Sequence, residues 1–172
     1  MVSLHFMPNQ AQLDCLSLAS PFASQIYQKH SDDAQAFLGE YGFERSLSSL
    51  DFDALVRRFV GLGKTNYLDF TNEEMVMSGL RKLRQMLMLK WIWQDALSVI
   101  SLEELTHELS DFADSCIQFS KDFVYHKLTK RYGEPMIRQK NKTLKDELAI
   151  IAMGKLGAQE LNLSSDIDLI FV

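Results

Sequence analysis

Residues 149–172 read AIIAMGKLGAQELNLSSDIDLIFV, a pattern typical of two apolar strands separated by a glycine turn. The apolar run that opens this segment is too short for another long helix, and the glycines that follow it favour a strand. A short helical or looped passage then leads to a second strand. The order of strand, turn and strand therefore predicts the beginning of a sheet.

Two aspartates open the second predicted strand. Side chains on a strand alternate between its faces, so we expect Asp166 and Asp168 to point the same way, about 7 Å apart. Ile167, Leu169 and Phe171 would then face a core on the other side. Two carboxylates aimed together repel each other, and a divalent cation between them removes that cost. Because Mg²⁺ prefers one or two carboxylates with phosphate oxygens and water, the pair predicts a Mg²⁺ site.

The turn before the aspartates has the residue types of a phosphate site. Gly154 and Gly157 permit backbone conformations that are closed to other residues, and they let a phosphate approach closely. Lys155 offers a compact positive charge. Ser165 offers a hydroxyl either to a phosphate oxygen or to the cap of a local turn. A glycine turn followed by an Asp-x-Asp strand thus indicates a nucleotide-and-metal site.

The same residues also have structural interpretations. Acidic residues often open strands near turns, so Asp166 and Asp168 would then be a solvated strand start. A lysine in a turn is usually solvated, and this interpretation applies equally to Lys155. The Ser-Asp-x-Asp spacing alone does not separate these alternatives.

A longer composite motif is far more specific than the aspartate pair. Residues 153–171 follow the pattern Met-Gly-Lys-Leu-Gly-x-x-Glu-Leu-Asn-x-x-Ser-Asp-Ile-Asp-Leu-Ile-Phe. This run resembles the signature of the glutamine synthetase adenylyltransferase family, also called the adenylyl-removing enzyme, within the nucleotidyltransferase superfamily. The resemblance covers about residues 75–172, strongly at the end and loosely before it. It implies that Asp166 and Asp168 are catalytic and hold Mg²⁺, and that nucleotide or phosphate contacts come from Gly154, Lys155, Gly157 and Ser165.

The resemblance also implies a reaction and partners. Family members carry an amino-terminal unit that removes AMP from glutamine synthetase by phosphorolysis, releasing ADP, and a carboxy-terminal unit that adds AMP from ATP. The early position of the motif, together with Asn162 and Ile167, resembles the removing unit. The implied partners are glutamine synthetase, phosphate, ADP or ATP and, in the full-length enzyme, a PII-type signalling protein.

The superfamily supplies a third carboxylate from a later strand, and no residue after Asp168 can provide it. We therefore expect the chain to be an inactive fragment of the adenylyl-removing half. One alternative is a helical interaction module that docks glutamine synthetase or a regulator without catalysis. Another alternative is the opposite catalytic direction, an ATP-dependent adenylyl transfer.

Composition is that of an ordinary globular protein. Of 172 residues, 47% are hydrophobic and 24% are charged, with a net charge of −5 and no basic cluster of the nucleic-acid-binding type. Cys15 and Cys116 are far apart in sequence, as expected for free thiols in the cytoplasm. No signal for export opens the chain, and the apolar run 86–93 is interrupted too soon to span a membrane.

The pattern before residue 149 is helical. Residues 1–20 are weakly patterned, and Ser20-Pro21, Ser31-Asp32 and the periodic run 50–60 predict three short helices. Two capping boxes, Thr71-Asn72-Glu73-Glu74 and Ser101-Leu102-Glu103-Glu104, then predict a helix from 71 to about 100 and a longer one from 101 to 132. We expect Met75 to lie on the inner face of the first of these helices. The expected buried stripe of the second consists of Leu105, Leu109, Phe112, Ala113, Cys116, Phe119 and Phe123. The stretch 133–146, with its polar run 138–142, indicates a loop and a domain boundary. The prediction is an α+β protein with a helical region (1–145) and the first strands of a truncated nucleotidyltransferase-type mixed sheet (146–172).

Overall fold

The computed structural model describes residues 6–62, 72–139 and 142–172. Within these residues, helices build most of the molecule and two antiparallel strand pairs follow them, which confirms the α+β prediction. The helices of the first part are α1 (Gln10–Ala19), α2 (Pro21–Lys29), α3 (Ser31–Tyr41) and α4 (Ser49–Phe59).

Helix α1 lies in a region that the sequence pattern left without an element. Asn9 caps it, because its side chain accepts a hydrogen bond from the Gln12 backbone N–H while the Gln12 side chain accepts one from the Asn9 N–H. This is a capping box made of two amides instead of the usual hydroxyl and carboxylate. Trp93 of a later helix donates its indole N–H to the Gln12 carbonyl at 3.0 Å. Tertiary contact therefore completes a helix whose own sequence is weakly periodic.

Two further helix starts differ from the prediction. The expected cap at Ser31-Asp32 is wrong, since α3 begins at Ser31 and its N-cap, His30, makes no side-chain capping bond. Helix α4 begins one residue earlier than the periodic run suggested. Its cap is Ser48, which forms a capping box with Asp51.

Helix α5 (Glu73–Ala96) is the central helix of the fold, because it contacts each of α1 to α4 and also the helix that follows it. Its cap is Asn72, whose side chain accepts from the Met75 N–H at 3.1 Å; Thr71, the predicted cap, lies outside the described residues. The helix ends at Ala96 and not near residue 100. Met75, predicted to face inward, is 46% exposed. In the second half of α5, buried side chains lie on every side: Met86, Leu87, Met88, Leu89, Lys90, Trp91, Trp93 and Gln94.

Helix α6 (Leu102–Tyr132) agrees closely with the prediction. Ser101 and Glu104 form the expected capping box, and Gly133, with a φ of 84°, ends the helix. The helix is 31 residues long. The predicted inward stripe is confirmed at these buried positions: Leu105, Leu109, Phe112, Phe119 and Phe123.

The predicted loop after α6 is wrong at residues 136–139 and 142–145, because these residues form two paired strands. Residues 140 and 141 of the predicted polar loop lie outside the described residues. Strands β1 (Met136–Gln139) and β2 (Lys142–Lys145) pair antiparallel, with Ile137 opposite Leu144. Four-residue strands carry too little alternation to stand out in a polar sequence, and cross-strand pairing stabilises them.

The last segment contains the two strands that its sequence predicts. Strands β3 (Ile150–Met153) and β4 (Asp168–Phe171) pair antiparallel, and the short helix α7 (Gly154–Gly157) follows β3 directly. Leu156 and Leu161 are buried in the same hydrophobic core as the helices. The core thus continues past residue 145, and the predicted boundary there stays a prediction.

A further property of the helices is their hydropathy. Among the described residues, no helix combines the length and the apolar character needed to cross a bilayer.

Candidate functional site

The glycine turn and one aspartate lie side by side. The β3–β4 register pairs Met153 with Asp168, so the strand partner of Asp168 is the residue just before Gly154. Gly154 has a φ of 57°, a left-handed conformation that favours glycine. A Cβ atom built on Gly154 would lie 3.8 Å from Asp168 Oδ2. The backbone of the turn therefore borders an exposed carboxylate.

Gly157 is required for a different reason. A Cβ atom there would lie 2.6 Å from the Ala152 carbonyl oxygen, which is closer than real contacts allow. The absence of a side chain lets α7 fold back tightly against β3. Between the glycines, Leu156 is buried and Lys155 is exposed, so the lysine side chain is accessible to a ligand.

Ser165 holds a local turn. Its hydroxyl donates to Asn162 Oδ1 at 2.7 Å and accepts from the Asn162 N–H at 3.2 Å, while its own N–H donates to the Asn162 carbonyl at 3.1 Å. Of the two roles that the sequence allowed for Ser165, the structure displays the turn cap. A role in phosphate binding stays a prediction.

Asp166 lies outside the strand that was expected to contain it. Strand β4 begins at Asp168, two residues later than predicted, so alternation does not fix the direction of the Asp166 side chain. Asp166 borders a groove between the strands and helices α5 and α6, together with Ile167, Leu169 and Phe171. The prediction that the three apolar residues face a core is confirmed for Leu169 alone, which packs against the core. It is wrong for Ile167 and Phe171, which are exposed, and all three border the same groove as Asp166. The structure joins Asp168 to the glycine turn and places Asp166 at the groove.

Asp166 and Asp168 offer carboxylate oxygens, which are the kind of ligand that a hard cation takes. Among the described residues, no group of three or more His, Cys, Asp or Glu side chains is placed to hold a metal. A cation at Asp166 and Asp168 would therefore need further ligands from water or a phosphate. That mixture of few carboxylates with water and phosphate is the usual one for Mg²⁺.

Helix α6 holds the segment between the glycine turn and the aspartates. The Leu161 N–H donates to Ser110 Oγ at 3.2 Å, and Gln159 Nε2 donates to Asp114 Oδ2 at 3.0 Å. Sequence reasoning missed both α6 residues. A serine on the buried face of α6 is a weak signal for such a contact, because Glu108 and Ser115 of the same helix are buried as well.

The groove beside the strands has a volume of about 790 Å³ and a mostly apolar lining. It is lined by α5 residues such as Leu80 and Trp91 and by α6 residues such as Phe112. Cys116 also lines it, and burial raises the pKa of its thiol to about 12. The thiol is therefore protonated near neutral pH and is a poor nucleophile.

Comparisons with known proteins agree with the sequence motif. The family model for glutamate-ammonia ligase adenylyltransferase matches residues 19–172. The chain is similar to curated proteins named bifunctional glutamine synthetase adenylyltransferase/adenylyl-removing enzyme. The relative from Acinetobacter baylyi is 39% identical over 167 residues, which cover 96% of this chain and 17% of that protein. The one from Idiomarina loihiensis is 34% identical over 159 residues, covering 92% and 16%.

A third relative with the same name, from Shewanella oneidensis, is 42% identical over 101 residues, covering 59% of this chain and 10% of that protein. The chain thus spans between 10% and 17% of the length of these relatives. No solved structure matches it. Because the family model covers most of the sequence, the chain belongs to the glutamate-ammonia ligase adenylyltransferase family.

Proposed function

We propose that these residues are part of the adenylyl-removing half of a glutamine synthetase adenylyltransferase. The observation that carries the proposal is the β3–β4 register, which sets Asp168 beside the left-handed Gly154. An exposed carboxylate next to an exposed backbone turn suits a metal-bound phosphate. The names of the relatives supply the substrate protein and the two activities of this proposal.

In this proposal the reaction is phosphorolysis of the adenylyl-tyrosine bond. A phosphate oxygen attacks the adenylyl phosphorus, the bond to the tyrosine oxygen breaks, that oxygen takes up a proton, and ADP leaves. Mg²⁺ would neutralise charge on the transferring group. Asp166 and Asp168 would hold the cation, Gly154 and Gly157 would let phosphate oxygens approach the backbone, and Lys155 would offset their charge. Ser165 would keep the acidic segment in place through its turn. Positioning and electrostatics thus carry the catalysis, without a protein nucleophile.

The partners and setting follow from the same proposal. They are glutamine synthetase as the protein substrate, phosphate and ADP or ATP as small molecules, a PII-type signalling protein in the full-length enzyme, and the cytoplasm as the compartment. We also propose that the 172 residues do not catalyse alone, because the described residues hold no third carboxylate beside Asp168.

The test uses a full-length protein that contains these residues, with adenylylated glutamine synthetase, phosphate and Mg²⁺. Asp168→Asn keeps the side-chain size and removes its charge, so we expect ADP release to fall by about 100-fold or more. Asp53→Asn, on the exposed side of α4, is the matched control and should leave the rate unchanged.

Two other results would favour the alternatives. Binding of glutamine synthetase that is indifferent to Mg²⁺ and to Asp166→Asn, without ADP release, would indicate a helical docking module. Incorporation of AMP from ATP that depends on Asp168 would assign the opposite direction to this unit.

A further inference from the structure

The segment between β3 and β4 consists of two closed turns that meet at Leu161. In the first turn, the Ala158 N–H donates to the Gly154 carbonyl at 3.1 Å. In the second, Asn162 and Ser165 are bonded through both backbone and side chain. The hydrogen bonds within each turn fix the shape of that turn. They do not fix the position of one turn relative to the other. The glycines lie in the first turn and the aspartates follow the second.

Helix α6 binds the chain at the junction of the turns. Ser110 is fully buried, and its hydroxyl accepts from the Leu161 N–H while donating to the Thr106 carbonyl at 2.8 Å. One turn further along α6, Asp114 accepts from the Gln159 side chain at 3.0 Å. The Leu161 side chain is itself buried in the core. The junction is therefore fixed by two polar contacts with α6 and by one apolar anchor in the core.

The backbone conformation of Gln159 indicates that its side chain has a role. Gln159 has a φ of 59°, in the left-handed region that favours glycine. A glycine would adopt this conformation at lower cost, but it could not reach Asp114. Gln159 therefore makes its contact with α6 while its backbone holds a less favourable conformation. A local conformational cost of this kind is typical of functional sites.

We propose that Ser110, Asp114 and Gln159 are positioning residues, which hold the glycine turn and the aspartates at the spacing that a cation site requires. This inference rests on the proposed function of the site. The three residues touch no substrate in this account, and they act through Leu161 and the two turns. Because α6 is also the helix that contacts α4 and α5, the helical region would set the geometry of the site.

The test measures Mn²⁺ binding to the 172-residue chain by electron paramagnetic resonance, since Mn²⁺ accepts the same oxygen ligands as Mg²⁺. We expect Gln159→Gly, which keeps the left-handed backbone, and Asp114→Ala each to raise the Mn²⁺ Kd by about tenfold. Asp114→Asn keeps an acceptor oxygen and should retain most of the affinity. Asp114 is exposed, so its variants do not endanger folding.

The control removes the same kind of hydrogen bond elsewhere on α6. Gln118 Nε2 donates to Asp122 Oδ1 at 2.9 Å, and Gln118→Ala should leave the Kd unchanged. A merely structural role for Gln159 and Asp114 would lower the melting temperature without changing the Kd measured well below melting. That result would overturn the inference and leave the proposed function intact. If the unsubstituted chain binds no Mn²⁺, or binds it equally after Asp168→Asn, both the metal site and the inference fail.

Discussion

Replacing Glu108 by alanine is expected to lower the free energy of unfolding by about 3–5 kcal/mol. Glu108 is 4% exposed, and its carboxylate accepts from the Trp91 indole N–H at 2.6 Å and from the Leu47 N–H at 2.9 Å. Alanine would leave both buried donors without an acceptor, at about 1–3 kcal/mol each. The carboxylate also stabilises the charge of buried Lys90, whose pKa is lowered to about 8 by burial.

Chemical denaturation monitored by tryptophan fluorescence measures this loss, because Trp91 reports on the same contact. Glu103→Ala, at an exposed position in the first turn of α6, is the control, with an expected change of at most about 1 kcal/mol. A change in Glu108→Ala as small as that of the control would show that the buried contacts of Glu108 contribute little to stability.

Replacing Gly79 by alanine is the second large effect that we expect, a destabilisation of about 2–3 kcal/mol. A Cβ atom on Gly79 would lie 2.3 Å from the Phe59 carbonyl oxygen and 3.0 Å from Val60 Cα. These atoms belong to the backbone at the end of α4, so no side-chain rotation relieves the clash. Alanine favours a helix over glycine by about 1 kcal/mol, and the clash must exceed that gain.

The neighbouring Ser78 provides the control, because it is exposed on the same turn of α5. Ser78→Ala should be neutral or slightly stabilising, since only helix propensity changes. Thermal unfolding followed by circular dichroism measures both variants. A Gly79→Ala protein as stable as Ser78→Ala would mean that α4 and α5 can separate slightly at no cost.

Local signals made most of the fold predictable, and tertiary contacts account for what was missed. Helix α6 has a capping box at Ser101 and a terminal glycine at Gly133, so both ends follow from the sequence. Helix α1 has neither a capping box of the usual hydroxyl and carboxylate nor a terminal glycine. Trp93 of α5, a helix distant in sequence, completes its packing. The strand pair after α6 depends on cross-strand contacts, which a linear pattern of four residues does not reveal.

The candidate site likewise contains residues that the sequence predicted and residues that it did not reveal. Gly154 and Asp168 were predicted from residue type alone, because a glycine permits unusual backbone conformations and an aspartate offers a carboxylate wherever they occur. The β3–β4 register then brings the two residues together. Ser110 and Asp114 were missed because their partners lie 51 and 45 residues away in sequence. The direction of Asp166 could not follow from strand alternation, because the strand begins after it.

The most direct test of the account localises a bound cation on the isotope-labelled 172-residue chain by nuclear magnetic resonance. We predict that substoichiometric Mn²⁺ broadens the amide signals of Gly154 and Asp168 first, and that Asp168→Asn abolishes this effect. The exposed pair Asp32 and Asp33 in the first turn of α3 serves as the internal control for non-specific binding to carboxylates. Equal broadening at both places, or none at Gly154, would contradict a metal site at the glycine turn.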